Sequence, residues 1–143
     1  MRFFKSIFTT FTIWVLAALI NALLSATWLW LFSNEYNHWP TGFALALVFT
    51  LLFSTPGIFI FWLLLLINWE KAMLFQTLLK AGFLISSFSS LILFLFEDTE
   101  LEGQQLFLSL SIVISSTASI MMHFTIFKTF PSNKISNNYA SVN

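Results

Sequence analysis

The sequence predicts an all-α, polytopic membrane protein: four transmembrane helices in an antiparallel up-down bundle, with both termini in the cytoplasm. Three observations carry that reading. Four long apolar runs fill most of the 143 residues. Of those residues 58% are hydrophobic and only 8% charged, where soluble domains carry roughly 25% charged residues. Every Lys and Arg falls on what would be one side of the membrane.

The spans follow from run length, since a transmembrane helix needs about 20 mostly apolar residues. The runs cover about 7–31, 43–67, 72–96 and 106–127. Ser33 to Pro40, Asn68 to Lys71 and Glu97 to Gln105 join them. Links this short make successive helices antiparallel neighbours. Residues 1–127 therefore form one transmembrane domain. Residues 128–143 are rich in Asn and Ser, contain Pro131 and read as a disordered cytoplasmic tail. Arg2 and Lys5 resemble the start of a signal peptide, but the apolar run that follows is too long and lacks an A-x-A-like cleavage pattern. The first run is expected to stay as a helix.

Orientation comes from the cations. Arg2 and Lys5 precede the first span, Lys71 and Lys80 sit at the link between the second and third, and Lys128 and Lys134 follow the fourth. With four spans these regions share one face, which the positive-inside rule makes cytoplasmic. Lys80 lies inside the third run, near its cytoplasmic end, where a long stem returns the ammonium to the interface. Trp28, Trp30 and Trp39 flank the outer face and Trp69 the inner one, as amphipathic rings favour the headgroup level. Trp14 and Trp62 fall deeper and are expected to pack against helices or lipid. The 19 Phe residues read as lipid-facing bulk.

Helix contacts are expected where side chains are small. The third run carries Gly82, Ser86 and Ser90 at steps of four. The fourth carries Ser111, Ser115 and Ser119, with His123 next on that stripe. The first carries Ala18, Ala22 and Ala26, with Asn21 and Ser25 beside them. Steps of four stay on one helical face. Those faces either bury against one another, within the chain or between copies, or form a polar lane along the third and fourth helices. In the second run Ser54-Thr55-Pro56-Gly57 predicts a kink, because Pro56 has no N–H and its ring clashes with the Leu52 carbonyl; the Ser54 and Thr55 hydroxyls or a neighbouring helix are expected to satisfy the freed carbonyls.

Candidate chemistry is sparse. Glu97, Asp98, Glu100 and Glu102 crowd the second outer link. Thr99 and Glu102 fit a capping box at the start of the fourth helix, and the alternative is a cation-concentrating outer mouth. His38 follows Glu35 in the first outer loop, and the predicted topology puts it on the opposite face from His123. No cofactor or metal site is expected from them, since zinc sites need three or four protein ligands. The chain has no Cys, which removes thiol chemistry. It also has no G-x-S-x-G or H-E-x-x-H pattern and no carboxylate within a span. Length and span count are similar to those of small multidrug exporters and fluoride channels. The former centre on an intramembrane Glu and the latter are Gly-rich, whereas this chain has four Gly.

The expectation is a non-enzymatic accessory or interaction subunit of a membrane complex, with an oligomeric channel or simple transporter as the alternative. Its partners are the bilayer and other membrane proteins or further copies of itself. A net charge of zero argues against nucleic acid. The abundance of Phe, Ile, Asn and Ser with little Gly suggests an AT-rich bacterial genome, and the expected location is the bacterial cytoplasmic (inner) membrane.

Overall fold

The computed structural model describes residues 2–32, 38–69, 73–91 and 104–127. They form four helices: α1 (Arg2–Phe32), α2 (Trp39–Asn68), α3 (Leu74–Leu91) and α4 (Gln105–Phe127). All four are long and apolar enough to cross a membrane. The 18 residues of α3 rise about 27 Å, close to the ~30 Å of a hydrocarbon core. The 31 residues of α1 rise about 46 Å and exceed it.

Two helix starts differ from the apolar runs. The chain enters α1 at Arg2 rather than near Ile7, because nothing in Arg2 to Ser6 breaks a helix. It enters α2 at Trp39 rather than near Phe43, so Trp39 and Pro40 belong to the helix and not to the preceding loop. Proline suits the first helical turn, where its missing N–H is not needed. His38 stands before it in extended backbone, with φ −115° and ψ 91°. Its carbonyl accepts from the Thr41 and Gly42 amides at 3.1 and 3.2 Å.

α2 continues as a helix through Pro56. Pro56 leaves the Leu52 carbonyl without its amide donor, while the adjacent Ser54 and Thr55 hydroxyls donate to the carbonyls of Thr50 and Leu51. Membrane helices carry proline where neighbouring helices, hydroxyl side chains and local adjustment satisfy the freed groups.

Each helix packs on two others, α1 on α2 and α4, and α3 on α2 and α4, so the four close a ring. Along every seam the residue numbers rise on one helix as they fall on its neighbour. Ser6 meets Trp62 and Trp14 meets Ser54 between α1 and α2. Ser25 meets Ser111 and Trp28 meets Phe107 between α1 and α4. Phe75 meets Phe124 and Ser90 meets Ser109 between α3 and α4. Gly57 faces Ile85 and Phe61 approaches Gly82 between α2 and α3.

Two glycines set the spacing of α3. A Cβ on Gly57 would stand 2.7 Å from Ile85 Cγ2, and one on Gly82 would collide with Ile120 Cδ1. At both positions a side chain would force the facing isoleucine to shift, so glycine lets the neighbouring helices sit as close as they do.

The arrangement is inside-out relative to a water-soluble bundle. Phe3, Phe8, Phe49, Phe53, Phe83 and Phe88 are exposed, while alanine, serine, threonine and Asn21 fill much of the interior. Among the described residues, buried polar side chains outnumber buried apolar ones. Water would penalise both features, whereas lipid tails solvate the outer Phe side chains and small residues let helices pack. The large buried apolar side chains (Phe61, Leu65, Leu74, Leu78, Ile120 and Phe124) gather in the half where α1 and α3 begin and α2 and α4 end. Most of the interhelical hydrogen bonds lie toward the other half.

Candidate functional site

The interior polar groups converge on Asn21 of α1. Its Nδ2 donates to Thr50 Oγ1 of α2 at 2.8 Å. Its Oδ1 accepts from Ser111 Oγ of α4 at 2.7 Å. Ser25 and Ser111 hydroxyls lie 3.3 Å apart, and Trp14 Nε1 donates to Ser54 Oγ at 2.7 Å. One turn of α1 thus ties three helices together through neutral side chains. Thr50 in turn donates to the Ala46 carbonyl at 2.6 Å, so its hydroxyl both accepts and donates.

Between the four helices lies a cavity of about 90 Å³. Its walls carry Asn21, Thr50, Ser54, Ser86, Ser89 and Ser115, set among apolar side chains such as Ile13, Ile112 and Ile120. A second cavity of about 280 Å³ lies toward the end of α1 and the starts of α2 and α4. The two share Asn21, Thr50, Ser54, Ser89 and Ile112 in their walls. No charged residue lines either one among the described residues.

The sequence-selected residues fall as follows. Gly82, Ser86 and Ser90 are buried on α3, and Ser111, Ser115, Ser119 and His123 are buried on α4. Ser86 and Ser115 reach the central cavity, while Ser90 and Ser119 do not. The Ser86, Ser90, Ser115 and Ser119 hydroxyls each donate to a carbonyl of their own helix. The Ser111 stripe turns toward Asn21 and Ser25 of α1. Hydrogen bonds between α3 and α4 come from Ser109 and Ser116, which donate to the Ser90 and Gly82 carbonyls. Pro56 is exposed on the outside of α2, while Gly57 lines the cavity.

His123 is 1% exposed and packs edge-on against the Phe124 ring, 5.6 Å away. His38 is exposed at the start of α2, so the two imidazoles occupy separate helices and surroundings. Glu35, Glu97, Asp98, Glu100 and Glu102 lie outside the described residues, as does the tail 128–143. Among the described residues no three His, Cys, Asp or Glu side chains stand close enough to hold a metal ion. Lys5 and Lys80 are both exposed.

Sequence reasoning placed Asn21 beside the alanine stripe without giving it a role, and treated Trp14 and Trp62 as packing residues. All three make interhelical hydrogen bonds, Trp62 through Ser6 Oγ at 3.2 Å. One available signal was chemical: an amide or indole N–H deep in an apolar run needs an acceptor on a neighbouring helix.

No protein-family model matches this chain, and no curated protein or solved structure matches it either. Four helices long and apolar enough to cross a membrane are consistent with a small multi-pass membrane protein, and the bundle's own chemistry must carry any further reading.

Proposed function

We propose that this chain is a non-catalytic accessory or interaction subunit of a membrane complex in the bacterial cytoplasmic membrane. In this reading it is threaded as an antiparallel up-down bundle with both termini cytoplasmic. Opposed residue numbering along all four seams supports the antiparallel part. One-sided placement of Lys and Arg supports the orientation.

One observation carries the functional part. The interior is joined by neutral hydrogen bonds and offers no cluster of titratable groups among the described residues, while the flanks present a wide apolar surface. Chemistry such as hydrolysis needs a nucleophile with a base or metal in reach. A bundle built this way acts through what it packs against. Crosslinking in native membranes followed by purification tests the proposal. The expected result is a defined crosslinked assembly; a solitary monomer in native lipid would contradict it.

A second reading, an oligomeric channel or simple transporter, is favoured by Ser86 and Ser115 lining the central cavity. Ion flux through liposomes tests it, with Ser115→Leu as the blocking variant. The interaction reading expects no flux from either chain.

A further inference from the structure

We infer that the central cavity is a water-binding site, filled from the end of the bundle where α1 terminates and closed toward the other end. The inference stands apart from the interaction reading, because it rests only on the cavity and on where its hydroxyl protons go.

A serine or threonine hydroxyl has one proton and two lone pairs. Among the cavity-lining hydroxyls, Ser86 donates to the Phe83 carbonyl, Ser115 to Ser111 and Ser116 to Gly82. Their protons are therefore committed to the backbone, and their oxygens remain as acceptors. Thr50 and Ser54 are committed in the same way, each already receiving one donor from Asn21 or Trp14. Ser89 makes no hydrogen bond among the described residues and lines both cavities. Asn21 is 6% exposed, lines both cavities and gives one of its two amide protons to Thr50.

The wall is mostly apolar, and the polar atoms it does present are mainly acceptors. Its occupant must bring hydrogen-bond donors and must also accept from Ser89 and Asn21. It must be neutral, because no charge on the described walls would compensate an ion. It must be small: a cavity of about 90 Å³ has room for a few waters. A lipid chain fits the apolar wall but gives Ser89 and the second Asn21 amide proton nothing to bond, which costs free energy in a buried site. Water meets every condition, as buried waters typically make about three hydrogen bonds to polar groups that otherwise lack partners.

Direction follows from the two halves of the bundle. Toward the α1 C-terminus the cavity adjoins the larger one through Asn21, Thr50, Ser54 and Ser89. Toward the α1 N-terminus stand Phe61, Leu65, Leu78, Ile120 and Phe124, a buried apolar cluster whose side chains offer water no hydrogen-bond partner. Water enters as far as the serines and stops.

Water-edited solid-state NMR of the isotope-labelled chain in bilayers tests this. Polarisation transfer from water should reach Ser86, Ser89 and Ser115 several-fold faster than Leu65 and Leu78. Equal, slow transfer at all five would overturn the inference, and so would fast transfer at Leu65 and Leu78. Xenon supplies an independent readout, since dry apolar cavities take it up. The native chain should bind none at this site, and xenon bound there would overturn the inference. The double variant Ser86→Ala/Ser115→Ala should lose fast transfer at Ser89 and gain xenon binding. Unchanged transfer at Ser89 in that variant would overturn the role given to these oxygens. If the variant does not fold, the native chain's transfer pattern and xenon response decide the matter.

Discussion

Replacing Asn21 with leucine tests whether the amide joins the helices as the geometry implies. The substitution removes two interhelical bonds, the 2.8 Å bond to Thr50 and the 2.7 Å bond from Ser111. Interhelical side-chain hydrogen bonds in membrane proteins average about 0.6 kcal/mol and reach about 1.7. Stranding a buried donor or acceptor would add about 1–3 kcal/mol, but neither partner is stranded here. Thr50 still donates to the Ala46 carbonyl, and Ser111 has the Leu108 carbonyl at 2.7 Å for its proton. Leucine also refills most of the amide's volume. The expected loss for Asn21→Leu is therefore about 1 kcal/mol, the sum of two average bonds. That corresponds to roughly fivefold in the folding equilibrium. Reversible unfolding in mixed detergent micelles, followed by circular dichroism, measures it. Adding Ser111→Ala to Asn21→Leu should cost less than Ser111→Ala costs alone, because the shared bond is already gone. A loss above about 3 kcal/mol would mean that the partners have no fallback carbonyls. Strict additivity of the two changes would mean that the Asn21–Ser111 bond contributes nothing, and either result would refute the reasoning.

Other substitutions separate the remaining contacts. Gly82→Val places a branched side chain where even a Cβ would collide with Ile120, and should cost about 1–3 kcal/mol by overpacking. Gly42→Ala is the control, since nothing lies within 4 Å of a Cβ there; its unfolding midpoint should not fall. Pro56→Ala should leave helix content and fold unchanged by circular dichroism, because α2 already continues through that residue and the proline ring is exposed. Trp14→Phe removes the 2.7 Å bond to Ser54 but leaves that hydroxyl its Thr50 carbonyl, so the same micelle assay should register about 0.6 kcal/mol.

The four helices were legible because apolar run length is a local property of the chain. Helix ends were less so. Trp39-Pro40 reads equally as a loop and as a first helical turn, and only the extended backbone at His38 resolves it. At Pro56 the sequence shows where an amide donor is missing, and the bundle shows the adjacent Ser54 and Thr55 hydroxyls bonded to carbonyls of their own helix.

A step of four identifies which residues share a face, and the Ser111 and Gly82 stripes do lie buried. It does not say which helix each face meets, because that depends on how the helices rotate about their axes. Ser111 turns toward α1 while Ser115 lines one cavity with Ser86 of α3, so which helix each serine meets could not be read from spacing alone. Asn21 stayed hidden for the same reason: its partners lie 29 and 90 positions away.

The central claim is that the chain crosses the membrane four times with both ends on the cytoplasmic side. The absence of native Cys makes the decisive measurement direct. Single-cysteine chains carrying His38→Cys, Met73→Cys or Ser141→Cys are labelled in intact cells with a membrane-impermeant thiol reagent. The account predicts labelling of the His38 site from outside, and of the Met73 and Ser141 sites only after permeabilisation. Labelling of the Ser141 site in intact cells would contradict it.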